Sequence, residues 1–147
     1  AAFDLAGKAL WKVELGAHPT QDAFGTGTSP VLFERKLFVQ VFSEDAGYLV
    51  CLDARDGKEL WRVTRTSGTA WNTPCLWRTA TRTELVTAAK KRIASYDPAS
   101  GKELWHADGL DVPDSSSCTA DGERLYFGFR GQGVNGPLRA WKAGASG

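Results

Sequence analysis

Between Pro30 and Val63 the apolar residues come in short runs, broken every few positions by polar turn formers. "PVLF" is followed by "ERK", "LFVQVF" by "EDAG", and "YLVCLDA" by "RDGK", before "ELWRV" closes the stretch. Runs this short and β-prone, joined by tight polar turns, predict four strands in successive hairpins. The next stretch repeats the order as "TPCLWR", "TELVTAA", "RIASYD" and "ELWHA", and a third offers "SSCTA", "RLYFGF" and "PLRAWKA". Nowhere do apolar residues hold a helical period for three turns, so the chain is expected to be all-β.

The repetition is also literal. "DLAGKALW" runs from Asp4 to Trp11, "DARDGKELW" from Asp53 to Trp61 and "DPASGKELW" from Asp97 to Trp105. The tryptophans lie 50 and then 44 residues apart, a period proper to solenoids or propeller blades; four short strands per period favour blades. In each copy the Asp (Asp4, Asp53, Asp97) can accept hydrogen bonds from the turn amides ahead of it, and Gly7, Gly57 or Gly101 can supply a positive φ. Leu60 and Trp61 then point to opposite faces of the last strand, and the indoles of Trp11, Trp61 and Trp105 are expected to wedge against the neighbouring blade. Lys8, Lys58 and Lys102 are expected along the surface, stems covered and ammonium groups in water. The motif is therefore read as a structural joint and not as a site.

Composition restricts the rest. The 147 residues carry 18 Lys and Arg against 17 Asp and Glu, a formal net charge of +1, which argues against a nucleic-acid or anionic-membrane surface. No apolar run reaches the roughly 20 residues of a membrane-spanning helix. Cys51, Cys75 and Cys118 include no C-x-x-C pair, so neither a zinc site nor a thioredoxin-like pair is indicated, and they read as small buried strand residues.

The pattern D-x-x-x-G-K-x-L-W at the end of each four-stranded unit resembles the tryptophan-docking motif of the pyrroloquinoline-quinone-like (PQQ-like) β-propeller repeats. A worn copy, "LRAWKAGASG", closes the chain with Lys142 where the Asp should stand. The resemblance implies a partial propeller of about three blades within one domain, residues 1–147, with blade repeats at 1–15 (partial), 29–63, 73–107 and 116–147 (partial). The chain would begin in the third strand of one blade and stop in the corresponding turn three blades later. Propellers close with about 4–8 blades, so it is expected either to belong to a longer propeller or to close by self-association. It would leave blade faces unburied, including the side against which Trp11 packs.

The family implies two kinds of function. One is a non-catalytic module that binds or scaffolds, with a protein partner or the remaining blades as its contacts, no cofactor, and a periplasmic or extracytoplasmic location. The alternative is part of a quinoprotein dehydrogenase holding PQQ and calcium, with carboxylate and amide ligands, a cationic residue over the quinone and often two adjacent half-cystines. The three cysteines are nowhere adjacent and no calcium ligand set can be assigned, so the non-catalytic reading is preferred. A WD-type scaffold would need a Gly-His…Trp-Asp signature that is absent.

Individual candidates follow from the loops. "GQGVNG" (131–136) satisfies G-x-G-x-x-G but lies between strands, without the helix a dinucleotide site requires. Asp108, Asp111 and Asp114 lack the alternating spacing of a calcium loop. His106 reads as a surface residue and "AKKR" (89–92) as a solvated hairpin turn. Binding residues are expected in the unrepeated connections that lead into each first strand, "TGTSP", "AWNTP" and "DSSSC". Trp71 and Asn72, Ser115 and Ser116 stand there, and His18 lies in the long connection before the second blade. No catalytic group is assigned.

Overall fold

Short strands and hairpin turns leave no length for an α-helix, and the computed structural model contains none among the residues it describes: 1–66, 68–89, 91–110, 115–128 and 136–144. Four antiparallel sheets follow one another along the chain. The first pairs β1 (Ala2–Phe3) with β2 (Ala9–Trp11). The second is a meander of β3 (Val31–Phe33), β4 (Lys36–Phe42), β5 (Gly47–Asp53) and β6 (Glu59–Thr64). The third repeats it with β7 (Cys75–Arg78), β8 (Thr83–Ala89), β9 (Arg92–Tyr96) and β10 (Glu103–Ala107). The fourth has three strands, β11 (Thr119–Ala120), β12 (Arg124–Gly128) and β13 (Leu138–Lys142). These sheets are the blades of a partial β-propeller.

Strand composition follows from stacking. A middle strand covered on both faces cannot alternate, and β5 is buried along nearly its whole length, as are β8 and β9. Among the described residues, apolar cores lie between consecutive sheets. Val13 and Leu15 pack on Val41, Tyr48, Val50 and Leu52 at the first joint. Phe38, Leu49 and Cys51 meet Leu85, Ala94 and Tyr96 at the second. Trp77, Val86 and Ile93 meet Leu125 and Phe127 at the third.

The repeated motif forms the outer edge of these joints. Asp53 Oδ1 accepts from the Arg55 amide and Asp97 Oδ1 from the Ala99 amide, at 2.9 and 3.0 Å. Gly57 and Gly101 close the turns at φ +76° and +73°. Both are buried because an indole of the preceding blade lies over them: a Cβ at Gly57 would fall 2.6 Å from Trp11 Cε3, and one at Gly101 2.7 Å from Trp61 Cε3. Each indole also donates to a carbonyl one residue past the next blade's Asp, Trp11 Nε1 to Ala54 O (3.1 Å) and Trp61 Nε1 to Pro98 O (3.3 Å). Trp11 is thus directed forward into the second blade, which corrects the expectation that its packing side lies open. The uncovered apolar groups of the first sheet are instead Phe3, Leu5 and Leu10.

The cysteine reading needs a second correction. Cys51 is fully buried and free, but Cys75 and Cys118 form a disulfide across 43 residues, with Cα atoms 6.1 Å apart. Cys75 opens β7 and Cys118 immediately precedes β11, so the bond ties together the entries to the first strands of consecutive blades. Sequence spacing could not show this, because the pairing exists only once one blade is laid against the next.

Candidate functional site

The connections that enter the first strands are tied to one another by side-chain hydroxyls. Thr73 Oγ1 accepts from the Ser29 amide (3.3 Å), and one blade later Ser117 Oγ accepts from the Thr73 amide (2.9 Å). Trp71 is half-buried, its Nε1 donating to Gly25 O at 2.8 Å. Its ring tilts against Phe24, centroids 6.2 Å apart, and Phe24 itself is 76% exposed. The result is a pinned indole carrying an open phenyl ring, both on unrepeated loops.

Asn72 is turned the other way. It is buried beside Gln40, whose Nε2 donates to Asn72 Oδ1 (2.6 Å) and to the Asn72 carbonyl (3.2 Å). Gln40 Oε1 and Asn72 Nδ2 have no hydrogen-bond partner among the described residues, so this pair keeps two polar atoms in a core position. His18 pins the long connection to the β4–β5 turn, Nδ1 lying 3.2 Å from Asp45 Oδ1 and Nε2 3.2 Å from Leu15 O. Ser115 is exposed and Ser116 half-buried. The structure therefore sets Trp71 beside Phe24 and Asn72 against Gln40, while His18 belongs to a separate cluster with Tyr48.

A second polar arrangement lies at the outer end of the joint between the second and third blades. Arg65, just past β6, reaches across so that Nη1 donates to Thr87 Oγ1 (2.9 Å) and Tyr96 Oη (2.5 Å). Its guanidinium carbon is 5.6 Å from the Phe42 ring centre and 5.5 Å from that of Tyr96. Arg92, on the facing blade, is held by both carboxylate oxygens of Glu103 and of Asp108 at 2.9–3.1 Å. His106 Nδ1 lies 2.6 Å from Glu103, and the ring is exposed. Hydrogen bonds from His106 and Arg92 outweigh the cost of partial burial and hold the Glu103 carboxyl below its ordinary range, whereas burial pushes the Tyr96 phenol up. Phe42, Arg65, Arg92, Glu103 and Asp108 line a cleft of about 320 Å³.

The third joint departs from the repeat. Trp105 Nε1 donates to the buried Glu84 Oε2 (2.6 Å), not to a carbonyl of the fourth blade. Glu84 also receives Ser95 Oγ (2.5 Å) and Arg82 Nε (2.7 Å).

The family model described as outer membrane protein assembly factor BamB, a PQQ-like repeat family, matches residues 1–139. The chain belongs to this PQQ-like family. Among solved structures, BamB from Moraxella catarrhalis is 20% identical with a TM-score of 0.60, over 82% of this chain and 37% of its own. Quinohemoprotein alcohol dehydrogenase from Comamonas testosteroni is 18% identical with a TM-score of 0.64, over 87% of this chain and 20% of its own. At such identities the likeness is one of fold, and the chain spans well under half the length of either structure. No curated protein matches the sequence.

Membership in the PQQ-like family raises the question of quinone and calcium. Among the described residues no three His, Cys, Asp or Glu side chains gather where they could hold a metal ion. The connections into the first strands offer hydroxyls already used between blades and an amide bonded to Gln40. Among the described residues this donor set does not fit a calcium-bound quinone. No described helix is long and apolar enough to cross a membrane. The "GQGVNG" segment through residue 135, Asp111 and Asp114 lie outside the described residues; Asp108 is one of the two acids that pair with Arg92.

Sequence reasoning singled out Trp71 and missed Phe24, the disulfide and the Arg65–Tyr96 bond. Register the repeats and a signal for Arg65 exists: it holds the position that Leu15 holds one blade earlier, each four residues past its motif tryptophan.

Proposed function

We propose that this chain is part of a non-catalytic PQQ-like propeller that binds a protein partner through the loops around Phe24 and Trp71. The observation that carries the reading is the phenyl ring of Phe24, 76% exposed beside an indole fixed by the Gly25 carbonyl. An exposed aromatic held on a rigid scaffold is a usual anchor of a protein interface. The family description, an outer membrane protein assembly factor, supports a role in assembly over one in catalysis. The Cys75–Cys118 disulfide supports an extracytoplasmic, oxidising compartment.

Site-specific photo-crosslinking tests this in the protein's native cells. A photoreactive residue at position 24 is expected to give a discrete protein adduct that Trp71→Ala abolishes, while the same probe at exposed Leu60, on an outer strand, gives none. No adduct at position 24 in the folded protein would refute the reading. Titration with PQQ and calcium, followed by quinone absorbance and dye reduction, tests the dehydrogenase branch; saturable binding with dye reduction would move the chain there.

A further inference from the structure

The three joints repeat one architecture, so a position that changes character among them marks a local demand. Four residues past the motif tryptophan, the first joint has Leu15, packed in an apolar core with Val39 and Leu52. The third has Gly109 at this position, and its core is aromatic, with Phe127 edge-on to Trp141 at 6.0 Å. The second joint has Arg65, and the strand register places Thr87 where Val39 stands and Tyr96 where Leu52 stands. One apolar trio has become a hydrogen-bonded cationic one, with all three members changed together.

Packing does not require that change, because a partly buried guanidinium carries a desolvation cost that Leu15 does not. Arg65 offsets some of it through Thr87, Tyr96 and the two aromatic faces. No carboxylate bonds it directly among the described residues; the Tyr96 hydroxyl that accepts from it lies 3.5 Å from Glu103 Oε2. Across the cleft Arg92 is held by two acids, so Arg92, Glu103 and Asp108 together carry one formal negative charge. The two walls are thus oppositely charged, over an apolar floor of Phe42, Val63 and Ala89. The cleft volume, about 320 Å³, suits a small molecule.

We propose that the cleft between the second and third blades binds a small zwitterion, an α-amino acid with an apolar side chain. Its carboxylate meets the remaining donors of Arg65, its ammonium group the Glu103–Asp108 wall, and its side chain Phe42 and Ala89. This site is separate from the Phe24–Trp71 loops and does not depend on the function proposed for them. A dianion such as phosphate is disfavoured by the acids opposite, and a bare amine leaves Arg65 unmatched.

Calorimetric titration of the full 147-residue chain at pH 8 with L-leucine tests this, with acetate and n-butylamine as single-charge controls. L-leucine is expected to bind saturably, and each control at least about tenfold more weakly, since each forfeits one charge-assisted contact. Arg65→Gln is expected to weaken L-leucine at least about tenfold without changing the circular dichroism spectrum. The triple change Arg65→Leu, Thr87→Val, Tyr96→Leu, which rebuilds the first joint's trio, is expected to fold and to bind no L-leucine. No saturable L-leucine binding, equal binding of acetate, or undiminished binding by either folded variant would overturn the proposal. The wild-type titrations decide it even if neither variant folds.

Discussion

Replacing Gly101 by Ala separates the two reasons for glycine in the repeated turn. Ala at φ +73° carries the cost of left-handed backbone, about 1–2 kcal/mol. It also places a methyl group 2.7 Å from Trp61 Cε3 and 2.8 Å from Cδ2, closer than carbon atoms approach. The indole must lift from the turn, lengthening its bond to Pro98 O and loosening its stacking on Phe38, whose centroid is 5.7 Å away. Overpacking of this kind costs about 1–3 kcal/mol, so Gly101→Ala should destabilise by about 2–5 kcal/mol in total. Gly7 is an internal control: it sits in the first copy of the motif at φ +79°, and a Cβ there meets nothing within 4 Å. Gly7→Ala should therefore cost only the backbone part, about 1–2 kcal/mol. Urea unfolding followed by tryptophan fluorescence reads both. If the two variants lose equal stability, within about 0.5 kcal/mol, the indole does not rest on Gly101 and the account of the joint is wrong.

Two further outcomes are expected. Exchanging both Cys75 and Cys118 for Ser removes a 43-residue cross-link and should lower stability in non-reducing urea unfolding by up to about 4 kcal/mol; no loss would mean that the bond does not form. Burial pushes the Cys51 thiol up to about 11, so Ellman's reagent at pH 8 should count no thiol in the native oxidised chain and one after unfolding. Because the folded state disfavours the thiolate, stability should be unaffected by this group below the unfolded value near 8.5 and fall as pH rises from there towards 11; a Cys51→Ala variant, compared over that range, should lack the fall.

The strands and their order were legible because each repeat alternates apolar runs with turn chemistry at a readable spacing, and β3 to β10 fall on the runs first named. The forward direction of the indoles was not, since Trp11 shows only a large residue on an edge strand until Gly57 is seen beneath it. The candidate site was half legible. Trp71 could be singled out as an unrepeated aromatic, but whether Asn72 faces a ligand or the core depends on Gln40, 32 residues away, whose amide reaches it only in the folded blade. The disulfide and Arg65 escaped for the same reason: contact across a joint is set by blade stacking, and a hairpin pattern encodes only the contacts inside one sheet.

That distinction explains why the worn fourth copy is not a defect to be repaired. At the second joint Lys36 lies near enough to the Asp97 turn to help lower that carboxyl, after the Ser100 hydroxyl and the turn amides. At the third joint both charges are reversed: Lys142 ends β13 at the position that Asp97 holds after β9 one blade earlier, and Glu84 of β8 lines the groove that Lys142 also lines. Restoring the motif with Lys142→Asp would set a second carboxylate beside buried Glu84, whose hydrogen bonds to Arg82, Ser95 and Trp105 keep it in place. The exchange should therefore destabilise, by about 1 kcal/mol given the exposure of Lys142, although it brings the sequence closer to its own repeat. In a Glu84→Gln background the same exchange should cost nothing measurable, because the repulsion has lost one partner while the amide can still accept from Trp105. A double-mutant cycle in urea measures the difference. Equal costs in the two backgrounds would show that Lys142 and Glu84 do not sense each other, and that the lost Asp needs another explanation.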